Sequence, residues 1–116
     1  MLPQKLLKQL IEFRKERDWE QFHNPKDLAI SLSIEAAELL ELFQWRTSDE
    51  ITTQFEGEKR VRLEDELADV AIYLTYLCHD LGIDLSAAIS SKIEKNAQKY
   101  PIDKVKGKAD KYSDYE

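Results

Sequence analysis

Apolar residues recur at helical spacing along most of this chain and no stretch alternates with a period of two, so the pattern reads as helix throughout. A first helix is expected over about Pro3 to Trp19, with Leu6, Leu7, Leu10, Ile11 and Phe13 as its apolar stripe. A second starts with Asn24 as N-cap, Pro25 at the first helical position and Asp27 in the first turn, and runs to about Gln44. The polar segment from Thr47 to Glu58 leaves room for a short helix begun by Ser48. A third long helix covers about Lys59 to Leu81 and stops at Gly82, which suits the left-handed position after a helix end. The fourth begins at Asp84 and ends by Tyr100, because Pro101 disfavours helix in the residue before it. The pattern therefore predicts an all-α, four-helix domain over residues 1–101. A Lys-, Asp- and Tyr-rich tail over residues 102–116 follows, mobile or laid along a partner.

The second helix is not simply amphipathic. Ile30, Ile34 and Ala37 fall opposite the stripe of Leu28, Leu32 and Leu39, leaving it apolar on almost every side. Three other helices cannot enclose such an element. The expectation is a homo-oligomer, dimer or tetramer, whose subunits share one helical bundle.

Two acidic pairs interrupt this apolar setting: Glu35-Ala-Ala-Glu38 and Glu66-Leu-Ala-Asp69. On a helical wheel Glu35 falls among Leu28, Leu39 and Leu42, and Glu66 falls between Tyr73 and Leu77. Residues 27–45 and 63–91 contain no Lys or Arg, so these acids are not expected to be neutralised within their own helices. An ionised carboxylate among apolar neighbours is strongly unfavourable unless paired or bound to a metal. The spacing of each pair projects both carboxylates from one face. Two such helices side by side would gather Glu35, Glu38, Glu66 and Asp69 into a hard-oxygen cluster suited to Mg²⁺, or to Mn²⁺ in its place.

Composition narrows the setting. A length of 116 residues fits one domain. A net charge of −6, from 23 acids against 17 bases, argues against a nucleic-acid binder. The lone cysteine, Cys78, excludes an intramolecular disulfide and suits a reducing cytoplasm; its apolar surroundings favour a core thiol over a nucleophile. With no signal peptide and no apolar run of spanning length, a soluble, cytoplasmic protein without a membrane partner is expected.

Four ordered blocks carry a family resemblance over nearly the whole chain. They are Arg17-Asp-Trp-Glu-Gln-Phe-His23, Glu35-Ala-Ala-Glu-Leu-Leu-Glu-Leu-Phe-Gln-Trp45, Glu66-Leu-Ala-Asp-Val-Ala-Ile-Tyr73 and Lys92-Ile-Glu-Lys-Asn-Ala-Gln-Lys-Tyr-Pro101. With these the chain resembles the MazG-like all-α nucleoside triphosphate pyrophosphohydrolases, and within them the single-domain dCTP pyrophosphatases. The resemblance implies hydrolysis between the α- and β-phosphates, with Glu35, Glu38, Glu66 and Asp69 holding Mg²⁺. It further implies that Lys92, Asn96, Lys99 and Tyr100 contact phosphates, that Trp19, Phe22, His23 and Trp45 hold the base, and that Tyr73 is a site tyrosine. Glu38 is the expected general base, with Glu35 deeper in the apolar stripe.

Plainer readings stand beside these. An isolated Glu-x-x-Glu is usually solvent-facing; the apolar flanks and missing basic partners reverse that here. The helix-four lysines also fit a solvated face, Trp19 and Trp45 fit core or oligomer contacts, and His23 fits a loop position. Two other functional classes remain. Glu20-x-x-His23 matches one half of a di-iron carboxylate motif, which needs a second copy on a helix. A non-catalytic dimerisation or regulatory module of the same fold is the other.

Overall fold

The computed structural model describes residues 2–109. Residues 2–82 form one compact unit and the described residues from 83 on belong to another. The first unit contains α1 (Gln4–Glu16), a 3-10 turn (Glu20–Phe22), α2 (Pro25–Glu41), α3 (Ser48–Gln54) and α4 (Glu58–Leu81). The second contains α5 (Leu85–Lys99) and α6 (Ile102–Val105). The four long helices match those predicted, and the described residues are helical without a strand.

The boundaries differ from expectation where the local chemistry is strongest. α1 stops at Glu16, short of Trp19, because Asp18 takes a left-handed φ of 55° and the Trp19 N–H donates to the Arg14 carbonyl at 3.0 Å. Asp tolerates that region better than most residues. Gln21 then steadies the turn by donating to the Asp18 carbonyl and carboxylate at 3.0 and 2.9 Å. α2 begins as predicted, the Asn24 side chain accepting from the Asp27 N–H at 2.9 Å. It ends at Glu41 rather than Gln44, passing through turns to Trp45 at φ 65°, a conformation that strains a bulky residue. The short helix at Ser48 is present, started by a reciprocal capping box between Thr47 and Glu50. Gly82 closes α4 at φ 66°.

α2 and α4 lie along each other over most of their length, and α1 lies against α4. Leu28 of α2 and Tyr76 of α4 are sealed, at 1% and 3% exposure. Leu32 and Leu39 are half-buried, while Ile30 and Ile34 on the other side of α2 stand 46% and 53% exposed. Among the described residues no helix is long and apolar enough to cross a membrane.

In the second unit Asp84 caps α5 by accepting from the Ala87 N–H at 3.1 Å. A short helix, α6, follows at Ile102–Val105, within the segment read from the sequence as a charged tail. The Pro101 carbonyl starts it, accepting from the Lys104 and Val105 N–H groups at 3.0 and 3.1 Å. Residues 110–116 of that tail lie outside the described residues.

Candidate active site

The pairing of α2 with α4 brings acids from both helices together. Glu35, Glu38 and Glu66 each offer a carboxylate oxygen, and these oxygens all lie within 4.8 Å of one another. Glu38 is exposed; Glu35 and Glu66 are half-buried, and each has an Oε2 sealed from solvent with no hydrogen-bond partner. Desolvation, a hydrogen bond shared with Glu38, and the charges of Glu38, Asp69 and Glu66 push the Glu35 carboxyl up to about 7. Desolvation, then Glu38 and Asp69, also raise Glu66. One expectation needs correction: Arg62, one turn before Glu66 on α4, partly opposes that rise, so the second pair is not without a basic neighbour in its own helix.

Sealed carboxylate oxygens without hydrogen-bond partners, in a group repelled by its own charge, have the donor chemistry that could hold a cation. All-oxygen ligation from carboxylates on two rigid helices fits Mg²⁺ or Mn²⁺. Asp69 does not belong to the three-residue group, although its charge acts on both Glu35 and Glu66.

Asp69 instead lines an adjoining cavity of about 380 Å³, with Leu10, Phe13, Trp19, His23, Ile72, Tyr73 and Tyr76. Its walls are aromatic: Phe13 meets Trp19 edge-on with centroids 5.7 Å apart, and His23 lies 5.3 Å from Tyr76 and 6.4 Å from Tyr73. Asp69 and His23 supply polar atoms among flat apolar faces, an arrangement that suits a planar ring with a polar edge. Burial, and then the charge of Arg14, pull the His23 imidazole below its ordinary value, favouring the neutral ring. Its Nδ1 is buried without a partner.

Behind this wall stands a group the sequence did not reveal. Arg14 of α1 is only 6% exposed and donates through both terminal nitrogens to Asp80 of α4, at 2.9 and 2.5 Å. Its guanidinium lies 4.6 Å from the centroid of the Tyr76 ring, and the Tyr76 hydroxyl donates to the Leu10 carbonyl at 2.8 Å.

Of the residues expected to hold a base, Trp19 and His23 line the cavity together with Tyr73. Phe22 and Trp45 do not; they stand 64% and 92% exposed. Lys92, Asn96 and Lys99 fall on α5 at one-turn intervals, and Tyr100 closes that helix by donating its N–H to the Asn96 carbonyl at 2.8 Å. Leu10, Phe13, Ile72 and Tyr76 were missed as cavity residues. The signal was there: Leu10 and Phe13 sit one turn apart on the apolar stripe of α1, and Tyr76 follows Tyr73 by one turn. Glu20 and His23 sit on the 3-10 turn and its cap, off the long helices on which a di-iron bundle would need them.

Comparisons with known proteins point to one family. A model of the MazG-like family matches residues 30–115. The dCTP pyrophosphatase 1 of Rattus norvegicus is 45% identical over 104 residues, and that of Homo sapiens 42%, each covering 89% of this chain. The chain spans 61% of the length of these two relatives. A crystal structure of a pyrophosphatase from Archaeoglobus fulgidus superposes with a TM-score of 0.79 at 50% identity, covering 84% of this chain and 90% of the other.

Proposed function

The chain belongs to the MazG-like family, and on that footing we propose that it is a Mg²⁺-dependent nucleoside triphosphate pyrophosphohydrolase. It cleaves between the α- and β-phosphates to give a nucleoside monophosphate and pyrophosphate, with dCTP or a modified dCTP as favoured substrate. The observation that carries this reading is the carboxylate group of Glu35, Glu38 and Glu66 beside an aromatic cavity, with Asp69 acting electrostatically on the first and lining the second. The names of the relatives support the choice of base.

Glu35, Glu38, Glu66 and Asp69 would hold the cation, Mn²⁺ being able to replace Mg²⁺. When bound, a divalent cation offsets the carboxylate repulsion, polarises phosphoryl oxygens and acidifies water. Glu38 takes the proton of the attacking water, since it is the exposed member of the group whereas Glu35 has a sealed oxygen. The water oxygen bonds to the α-phosphorus, the bond to the bridging oxygen breaks, and pyrophosphate leaves with that electron pair. The family resemblance is the support for assigning Lys92, Asn96, Lys99 and Tyr100 to the phosphates, where the lysines would counter the outer phosphate charge. Trp19, His23 and Tyr73 flank the base, and Phe22 and Trp45 complete its enclosure on assembly.

That assembly is a homo-oligomer, dimer or tetramer. Its support is the open apolar groove of α2, lined by Lys26, Ala29, Ile30, Ser33, Ile34 and Ala37. The lone Cys78 fits a cytoplasmic setting. The decisive experiment offers a panel of canonical and modified nucleoside triphosphates with Mg²⁺ and scores pyrophosphate against orthophosphate. Pyrophosphate from dCTP at the highest kcat/KM is expected; orthophosphate as the primary product overturns the reading.

A further inference from the structure

We propose that the Arg14–Asp80 pair is a positioning device for nucleobase recognition, locking Tyr76 as a rigid wall against which His23 is held. This rests on the preceding reading of the aromatic cavity as the base site.

Stability alone gives little reason for such a pair. Taking a guanidinium to 6% exposure incurs a desolvation penalty that its partner only partly offsets, and apolar replacement of both members of a buried pair is often neutral or stabilising. Arg14 even leaves its Nε buried without a partner. What the pair does accomplish is geometric. The two hydrogen bonds to Asp80 fix the plane of the guanidinium, and its Cζ is thereby held over the Tyr76 ring, 4.6 Å from the centroid. The Leu10 carbonyl fixes the same ring at its hydroxyl, and α4 fixes it at its backbone. At 3% exposure, held at both ends and on one face, Tyr76 is tightly restrained.

His23 is held quite differently. It closes a 3-10 turn through its backbone N–H, its Nδ1 makes no hydrogen bond, and its ring is oriented by contact with Tyr76 and Tyr73. A ring oriented by packing alone is only as well placed as the wall behind it. Arg14 and Asp80 touch no ligand in this scheme; they act on the cavity through Tyr76.

The test is the double variant Arg14→Met/Asp80→Leu, which replaces the pair by apolar groups of similar reach. Melting temperature should stay near that of the parent, while KM for dCTP rises about tenfold and kcat changes less than about twofold, the signature of lost ground-state positioning. The imidazole signals of His23 in ¹H–¹⁵N spectra should shift and broaden. Arg14→Lys, which keeps the charge and loses the planar fork, should raise KM in the same way. Tyr76→Phe, which removes only the anchoring hydroxyl, should raise KM about threefold and serves if the double variant does not fold. Unchanged KM and unchanged His23 signals in a folded variant overturn the proposal, as does a fall in kcat at constant KM. A parent enzyme that releases no pyrophosphate from dCTP would instead overturn the functional reading, and the His23 signals would still decide the role of the pair.

Discussion

Breaking one side of the buried ion pair is a different perturbation from replacing both, and its outcome follows from the geometry. Asp80→Asn keeps the shape of the side chain and one carbonyl acceptor for Arg14, but removes the charge. The Arg14 side chain is 7% exposed and that of Asp80 21%, so the guanidinium cannot recover its lost partner from solvent. Orphaning a fully buried charge costs about 3–5 kcal/mol, and partial access at Asp80 together with the retained hydrogen bond reduces this to about 2–3 kcal/mol. For a domain of this size that corresponds to roughly 10–20 °C in melting temperature, measured at equal protein concentration so that any assembly equilibrium is held fixed.

The pH dependence supplies an independent check. Hydrogen bonding to Arg14 holds the Asp80 carboxyl below its ordinary 3.8. A carboxylate whose folded pKa lies below its unfolded one contributes stability that is complete above the unfolded value and is lost as pH falls through the folded one. The stability gap between parent and Asp80→Asn should therefore be constant from pH 7 to about 5, begin to close below about 4 as the unfolded chain is protonated, and vanish below the lowered folded value, where the parent carboxyl is itself protonated. Denaturant unfolding of both proteins across this range measures the gap, and carboxylates common to the two cancel. A gap below about 1 kcal/mol at pH 7, or one that persists unchanged into strong acid, would refute the reasoning.

Other consequences concern the site and the assembly. Glu38→Ala and Asp69→Ala should each nearly abolish pyrophosphate release while circular dichroism stays helical, and a normal rate in Glu38→Ala would remove it as the general base. Above the value of about 7 to which Glu35 is pushed, Glu35→Gln removes one charge from a repelling group, so at about pH 8 the metal-free melting temperature should rise while calorimetry shows weaker Mg²⁺ binding; unchanged affinity would show that Glu35 is no ligand. Ile34→Asp places a charge in the exposed groove of α2 and should dissociate or unfold the protein with loss of hydrolysis, whereas light scattering from a stable, active monomer would contradict the assembly.

The long helices were legible because their signals are local: Asn24 and Pro25, Gly82, and Asp84 act within one turn of themselves. The misread ends, at Glu16 and Glu41, are places where Asp18 and Trp45 adopt left-handed backbones that neither residue type announces. The carboxylate group was legible for a different reason, since acids on an apolar stripe contradict the pattern around them. Arg14 contradicts its surroundings just as strongly, yet its partner lies 66 residues away and nothing in the spacing of either residue points to the other. Tyr76 was hidden by plausibility: an aromatic one turn after Tyr73 reads as ordinary core.

One face of α4 ties these observations together. Glu66, Asp69, Tyr73, Tyr76 and Asp80 follow at alternating intervals of three and four, so they share a stripe whose Cα positions span about 21 Å of helix. Along it the chemistry changes in order, from a carboxylate of the cation-seeking group, through the acid that joins that group to the cavity, to aromatic walls and then the ion pair that steadies them. Glu66 and Tyr73 lie about 10 Å apart along the axis. A rigid helix fixes that distance without help from loops. On the proposed reading, recognition of the base and placement of the reacting phosphate would be coupled through this one element, and a displacement of α4 would move both ends of the site together.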